Sequence, residues 1–140
     1  MARFVVEPSV VLKWFIPEEH SGPSARLLDG GSDLLAPDTI FTDTGKIITA
    51  KARRGECSAD EGIQILEAIR SAPLWLHPSM PLLEPAFRIA SGMDRPLGDG
   101  LNIALAVASD CRLVTASRTL FDGLQDTPFA VHVKWVGDLR

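Results

Sequence analysis

A chain of 140 residues, 46 % apolar and 23 % charged, has the length of one globular domain and enough apolar surface for a real core. Its 14 basic residues stand against 18 acidic ones. The formal charge of −4 excludes a global basic field for gripping nucleic acid and leaves only local contacts for that purpose. Cys57 and Cys111 are too few and too unpatterned for structural zinc and read as reduced thiols.

Phe4–Val6 reads as a short buried strand. Ser9 is placed to cap a helical run, Val10 to Phe15, which must end before Pro17 because the residue preceding proline avoids the helical region. Ser24–Leu28 is a second helical piece, stopped by Gly30-Gly31. Leu34–Ala36 is strand-like. From Thr39 to Arg53, Ile40, Thr44, Ile47 and Ile48 recur at helical spacing, and Gly55 follows as a terminator. Ser58 and Glu61 form a capping box that opens a helix to about Arg70. Leu74–Leu76 is a further strand and Pro81–Ala90 a helix ended by Gly92. Asp99–Ser109 is helical, Leu113–Thr115 a strand, Ser117–Leu124 a short helix and Val131–Val136 a last strand. Strands alternating with helices pair in parallel through crossovers. The predicted class is therefore α/β, a single domain over 1–140 with helices on both faces of a parallel sheet.

Four polar residues sit where this pattern expects apolar ones. Glu7 interrupts the first buried run, Asp43 shares a helix face with Ile40 and Ile47, Asp99 opens a helix, and Ser117 follows a strand. In an open parallel sheet such positions gather beyond the carboxyl ends of the strands. A cation held by Glu7, Asp43 and Asp99 would compensate all three carboxylates at once, and hard oxygen donors select magnesium or manganese. Each residue also has a structural reading. Asp99 and Ser117 serve as helix caps, Glu7 pairs with Lys13 or Arg118, and Asp43 faces solvent if the helix phase is off by one residue. His20, His77 and His132 are scattered, while Trp14, Trp75 and Trp135 read as core or interface aromatics.

Through the stretches VVEPSVVLKWF, LLAPDTIFTD, RPLGDGLNIALA and LVTASRTL the chain resembles the PIN-domain nucleases, and among them the VapC-like toxins of toxin–antitoxin pairs. The resemblance covers nearly the whole chain and implies an α/β/α sandwich. It also implies Mg2+- or Mn2+-dependent cleavage of RNA by a metal-activated water. Glu7, Asp43 and Asp99 would be the metal ligands, with Ser117 a fourth catalytic position. Glu7 and Asp43 exchange the family's usual aspartate and glutamate, and Ser117 stands where an aspartate is usual in a Thr-x-Asp motif. Asp122 and Thr115 are auxiliary candidates, and Arg95, Arg112 and Arg118 are candidates for RNA phosphate. The implied partners are RNA, a cognate antitoxin and a second copy of the chain, the last through Val11, Leu12, Trp14 and Phe15. No membrane partner is expected, because no segment is apolar enough to span a bilayer and Glu7, Lys13, Glu18 and Glu19 break up any leader-like run. The expected compartment is the cytoplasm. The altered acidic positions define the rival reading, a catalytically weak or inactive PIN-like protein that binds antitoxin or RNA.

Overall fold

The computed structural model describes residues 2–139. Five strands are present: β1 (Ala2–Val6), β2 (Ser32–Pro37), β3 (Leu74–His77), β4 (Arg112–Thr115) and β5 (Val133–Trp135). They form one parallel sheet in the order β3-β2-β1-β4-β5. The helices are α1 (Pro8–Leu12), α2 (Ser21–Ala25), α3 (Ile40–Arg53), α4 (Ala59–Arg70), α5 (Leu83–Met93), α6 (Leu97–Ala108) and α7 (Arg118–Leu124).

Alternation along the strands divides the core into two layers, because successive side chains leave a strand on opposite faces. Val5, Leu35 and Leu113 pack with Leu101, Leu105, Leu120 and Leu124 on one side. Their neighbours Val6, Leu34 and Val114 pack with Val10, Val11, Leu12, Ile40, Ile48 and Ile69 on the other. Strands buried on both faces need continuous apolar runs, which these have. The expected three-layer α/β/α sandwich is what the chain forms. Among the described residues, no helix is long and apolar enough to cross a membrane.

Several local expectations are corrected. Val11 and Leu12 are core residues, and Trp14 and Phe15 pack against the same layer, so α1 offers no apolar face to a partner. Amphipathic periodicity shows which residues cluster; in so short a helix the consecutive apolar residues Val10, Val11 and Leu12 are simply buried. Ser9 lies inside α1 rather than capping it. α5 begins after a 3₁₀ turn, Met80–Leu82, and runs through Gly92 to end at Asp94, which takes the left-handed conformation at φ +53°. The last strand is three residues long, flanked by 3₁₀ turns at Pro128–His132 and Val136–Asp138.

Helices α5 and α6 lie unusually close. A Cβ on Gly100 would stand 2.2 Å from the Ala86 carbonyl oxygen and 3.1 Å from the Ala90 Cβ. Only the hydrogen of glycine fits, and the small faces of Ala86, Ala90 and Ala104 complete the contact. This packing fixes the start of α6, and with it Asp99.

Candidate active site

Strand order reverses between β1 and β4, since β2 and β3 lie on one side of β1 while β4 and β5 lie on the other. Ligands of open parallel sheets bind at the carboxyl edge of such a point. Glu7 is the residue that leaves β1 there. Its backbone is extended, at φ −100° and ψ 166°, and its carbonyl accepts two amides of α1, from Val10 and Val11, both at 3.1 Å.

The Glu7 side chain is only 4 % exposed. Three donors converge on one oxygen, Oε1: the Ser9 hydroxyl at 2.6 Å, the Thr115 hydroxyl at 2.8 Å and the Ala116 amide at 3.0 Å. The last two cross the switch point from the end of β4. Burial drives the Glu7 carboxyl above its ordinary range; the Ser9, Ala116 and Thr115 hydrogen bonds oppose that, and the charge of Asp99 adds to it. No cation compensates it among the described residues. Lys13 pairs instead with Glu18 at 3.6 Å, and Arg118 with Asp122 at 3.6 Å. The ion-pair reading of Glu7 is thereby replaced.

Asp43 stands in the first turn of α3, half-buried, on the flank of the stripe formed by Ile40, Thr44 and Ile48. Partial burial raises its pKa. Lys46, with Nζ 4.0 Å away, and a hydrogen bond from Thr39 lower it, while Asp99 raises it further. Its Oδ2 is 3.4 Å from where a Cβ of Gly98 would lie, so the first turns of α3 and α6 meet here. Asp99 is the third residue of α6 and makes no cap, since Pro96 holds the N-cap position. Its Oδ2 instead accepts from Arg95 Nε at 3.0 Å, and Arg95 Nη2 lies 2.9 Å from the same oxygen.

Asp99 thus acts electrostatically on both Glu7 and Asp43. Among the described residues, however, no three His, Cys, Asp or Glu side chains stand close enough together to hold one metal ion. The donor chemistry suits a hard divalent cation: the donors are all oxygen, with one buried carboxylate lacking a positive partner. The Arg95 fork argues the other way, because it compensates Asp99 without an ion.

Ser117 caps α7, accepting from the Leu120 amide at 3.3 Å. Its own amide donates to Thr115 Oγ1 at 3.0 Å, and its hydroxyl shares a hydrogen bond with Thr119 at 3.2 Å. The serine therefore reaches Glu7 only through Thr115. Thr119 Oγ1 lies 3.5 Å from Arg95 Nη1, which extends this chain of polar contacts to Asp99. Asp122 is exposed and faces Arg118. Arg112 opens β4, three residues before Thr115, and so lies at the amino end of the strand, away from Glu7.

Sequence reasoning missed the clamp on Asp99 and the donors on Glu7. The nearness of Arg95 to Asp99 in sequence carried the first signal, although Arg95 precedes the Pro96 N-cap and reaches the first turn of α6 from the connection before it. The two distant donors carried none, since Thr115 and Ala116 lie more than a hundred residues from Glu7.

No protein-family model matches the chain. Ribonuclease VapC3 from Pyrobaculum aerophilum is 27 % identical over 120 residues, covering 84 % of this chain and 92 % of that protein. Among solved structures, PAE2754 of Pyrobaculum aerophilum superposes with a TM-score of 0.71 at 20 % identity, covering 99 % of this chain and 86 % of the other. The sarcin–ricin-loop-cleaving toxin VapC20 of Mycobacterium tuberculosis gives 0.63 at 16 % identity over 91 % and 92 % of the two chains. VapBC2 from Rickettsia felis, bound to a promoter DNA fragment, gives 0.65 at 11 % identity over 95 % and 98 %. The structural likenesses establish the fold, and the likeness to Ribonuclease VapC3 extends over most of both chains, so the chain is similar in fold to these proteins and in sequence to a VapC ribonuclease.

Proposed function

We propose that the chain is a divalent-metal-dependent endoribonuclease, the toxin half of a toxin–antitoxin pair, acting as one domain in the cytoplasm. The observation that carries this reading is buried Glu7, oriented by three donors and lacking a cation, at the switch point of the sheet. The likeness to Ribonuclease VapC3 supports RNA as the substrate.

Glu7, Asp43 and Asp99 would hold Mg2+ or Mn2+. When bound, such an ion neutralises charge at the scissile phosphate and makes the attacking water more acidic. The chain's own contribution is positional. Ser9, Thr115 and Ala116 lock one oxygen of Glu7 and leave Oε2 without a hydrogen bond among the described residues. Arg95, tethered to Asp99, presents a guanidinium suited to a phosphate oxygen. Ser117 contributes a neutral hydroxyl where related sites carry a charge.

An antitoxin is the proposed partner for the apolar groove between α3 and α4, where Ile48, Ala52, Gly62, exposed Ile63 and Leu66 line a cleft of about 380 Å³. The specific observation favouring the rival, a PIN-like binding module, is the Arg95 clamp together with uncharged Ser117.

The test is cleavage of labelled RNA with millimolar manganese against the same reaction with chelator. Cleavage that needs the metal and is lost in Glu7→Gln supports the nuclease. Ser117→Asp should raise cleavage about tenfold, the rate equivalent of about 1.4 kcal/mol, by adding charge at the ion. An inert wild type that still co-purifies with the product of a neighbouring reading frame sinks the nuclease and leaves the binding module.

A further inference from the structure

Beside the acidic site lies a second cleft of about 390 Å³, lined by Lys13, Glu19, His20, Ala116, Arg118 and Trp135. His20, Arg118 and Trp135 of its lining belong to an aromatic assembly that Phe121 completes. Trp135 and Phe121 stack with centroids 6.1 Å apart and planes 22° from parallel, and the His20 ring meets Trp135 edge-on at 5.4 Å. The Arg118 guanidinium lies over both stacked rings, 4.8 Å from the Trp135 centroid and 5.6 Å from that of Phe121. A stack of this kind is a poor use of aromatics for stability alone, because Arg118 stays 63 % exposed. Its pairing with exposed Asp122 at 3.6 Å is the sort that contributes little and breaks readily.

The cleft and the acidic site share a residue. Ala116 lines the cleft, and its amide donates to Glu7 Oε1. A strand whose phosphate lay at Glu7 would therefore carry a neighbouring base into the cleft. Guanidinium planes and aromatic rings are the surfaces on which proteins stack unpaired bases. The carboxylates of Glu18, Glu19 and Asp122 rim this side of the molecule, which disfavours an acidic peptide. A base is neutral and gains its energy from the stack.

We propose that this cleft is a nucleobase subsite, in which an unpaired base beside the cleaved bond of an RNA strand stacks on the Arg118 guanidinium held over Trp135 and Phe121. The proposal rests on the ribonuclease reading and names the form of its substrate: single-stranded, with at least one base free to leave its neighbours.

The test uses the full chain with chelator present, so that binding is read without cleavage. Fluorescence anisotropy with a labelled single-stranded RNA hexamer of mixed sequence is the measurement. Arg118→Lys keeps the charge and loses the plane; it should weaken binding about tenfold, and Trp135→Leu should do so similarly. A hexamer with one abasic ribose should bind wild type as weakly as the intact hexamer binds Arg118→Lys, with no further loss when the two changes are combined. Arg118→Lys must keep the wild-type melting temperature, which guards against a folding defect in Trp135→Leu. Equal affinity of wild type and Arg118→Lys overturns the subsite, as does indifference to the abasic position. Metal-dependent cleavage with an unchanged KM in Arg118→Lys likewise overturns the subsite and leaves the nuclease standing. Base-dependent binding without any cleavage in manganese supports the subsite and sinks the nuclease.

Discussion

Glu7 carries a pH signature whose sign follows from its surroundings. Burial favours the protonated carboxyl in the native state, so the native protein binds more protons than the unfolded chain between the ordinary value of 4.5 and the raised native one. Without metal, stability must fall as pH rises through that window, and Asp43 acts in the same direction. Gln at position 7 keeps an oxygen for Ser9, Thr115 and Ala116 but cannot ionise. Glu7→Gln should therefore stabilise the chelated protein at neutral pH and flatten the fall. Urea melts of both proteins from acid to neutral pH check this, and a parallel pair of curves would refute it. Glu7 was legible as an anomaly because an acid inside Phe4–Val11 contradicts the run around it. Its donors were not, because hydroxyls at Ser9 and Thr115 look like ordinary caps until the fold brings them to one oxygen.

Among the elements, α6 does the most to place the site. Asp99 depends on Gly100, which allows α6 to meet the backbone of α5. Gly100→Ala should destabilise the protein by about 1–3 kcal/mol through overpacking, seen as a lower urea midpoint at unchanged slope. A neutral effect would mean that the helices separate at no cost. Local grammar was read correctly where it is self-contained. The capping box of α4 makes both of its bonds, Glu61 amide to Ser58 at 3.1 Å and Ser58 amide to Glu61 at 2.9 Å. Reading failed where a stop signal had a competitor. Gly92 meets nothing within 4 Å and stays helical, while Asp94, two residues before Pro96, takes the left-handed turn that glycine was expected to supply. At the last strand, Thr127 and Pro128 start a 3₁₀ turn, with the Thr127 hydroxyl accepting the Phe129 amide at 3.1 Å, and this takes Val131 and His132 out of the sheet.

Besides Ile63 in the α3–α4 groove, the molecule leaves further large apolar side chains uncovered. Trp75 on edge strand β3 is 66 % exposed, Met80 75 % and Phe87 on α5 65 %. An edge strand with such neighbours invites a second copy. The proposed dimer therefore uses this region rather than α1, whose apolar residues are spent in the core. Sedimentation should give twice 15.2 kDa, and Phe87→Glu should shift the mass to that of one chain without lowering the melting temperature. A wild-type monomer at high protein concentration would end this proposal. Composition had fixed how much apolar surface the chain carries but could not assign it, because Trp14 and Trp75 look alike until burial separates them.

The strand order has a consequence in time. β1 leaves the ribosome first, yet two of the three donors to Glu7 lie 108 and 109 residues later, at the end of β4. Closing so long a loop is among the last steps of assembly, since distant pairings must wait for the chain between them. Everything up to Ser109 can emerge while Glu7 still has only Ser9 beside it. On the ribonuclease reading proposed above, the site stays incomplete beside the chain's own message and the ribosome's RNA until β4 slides in next to β1.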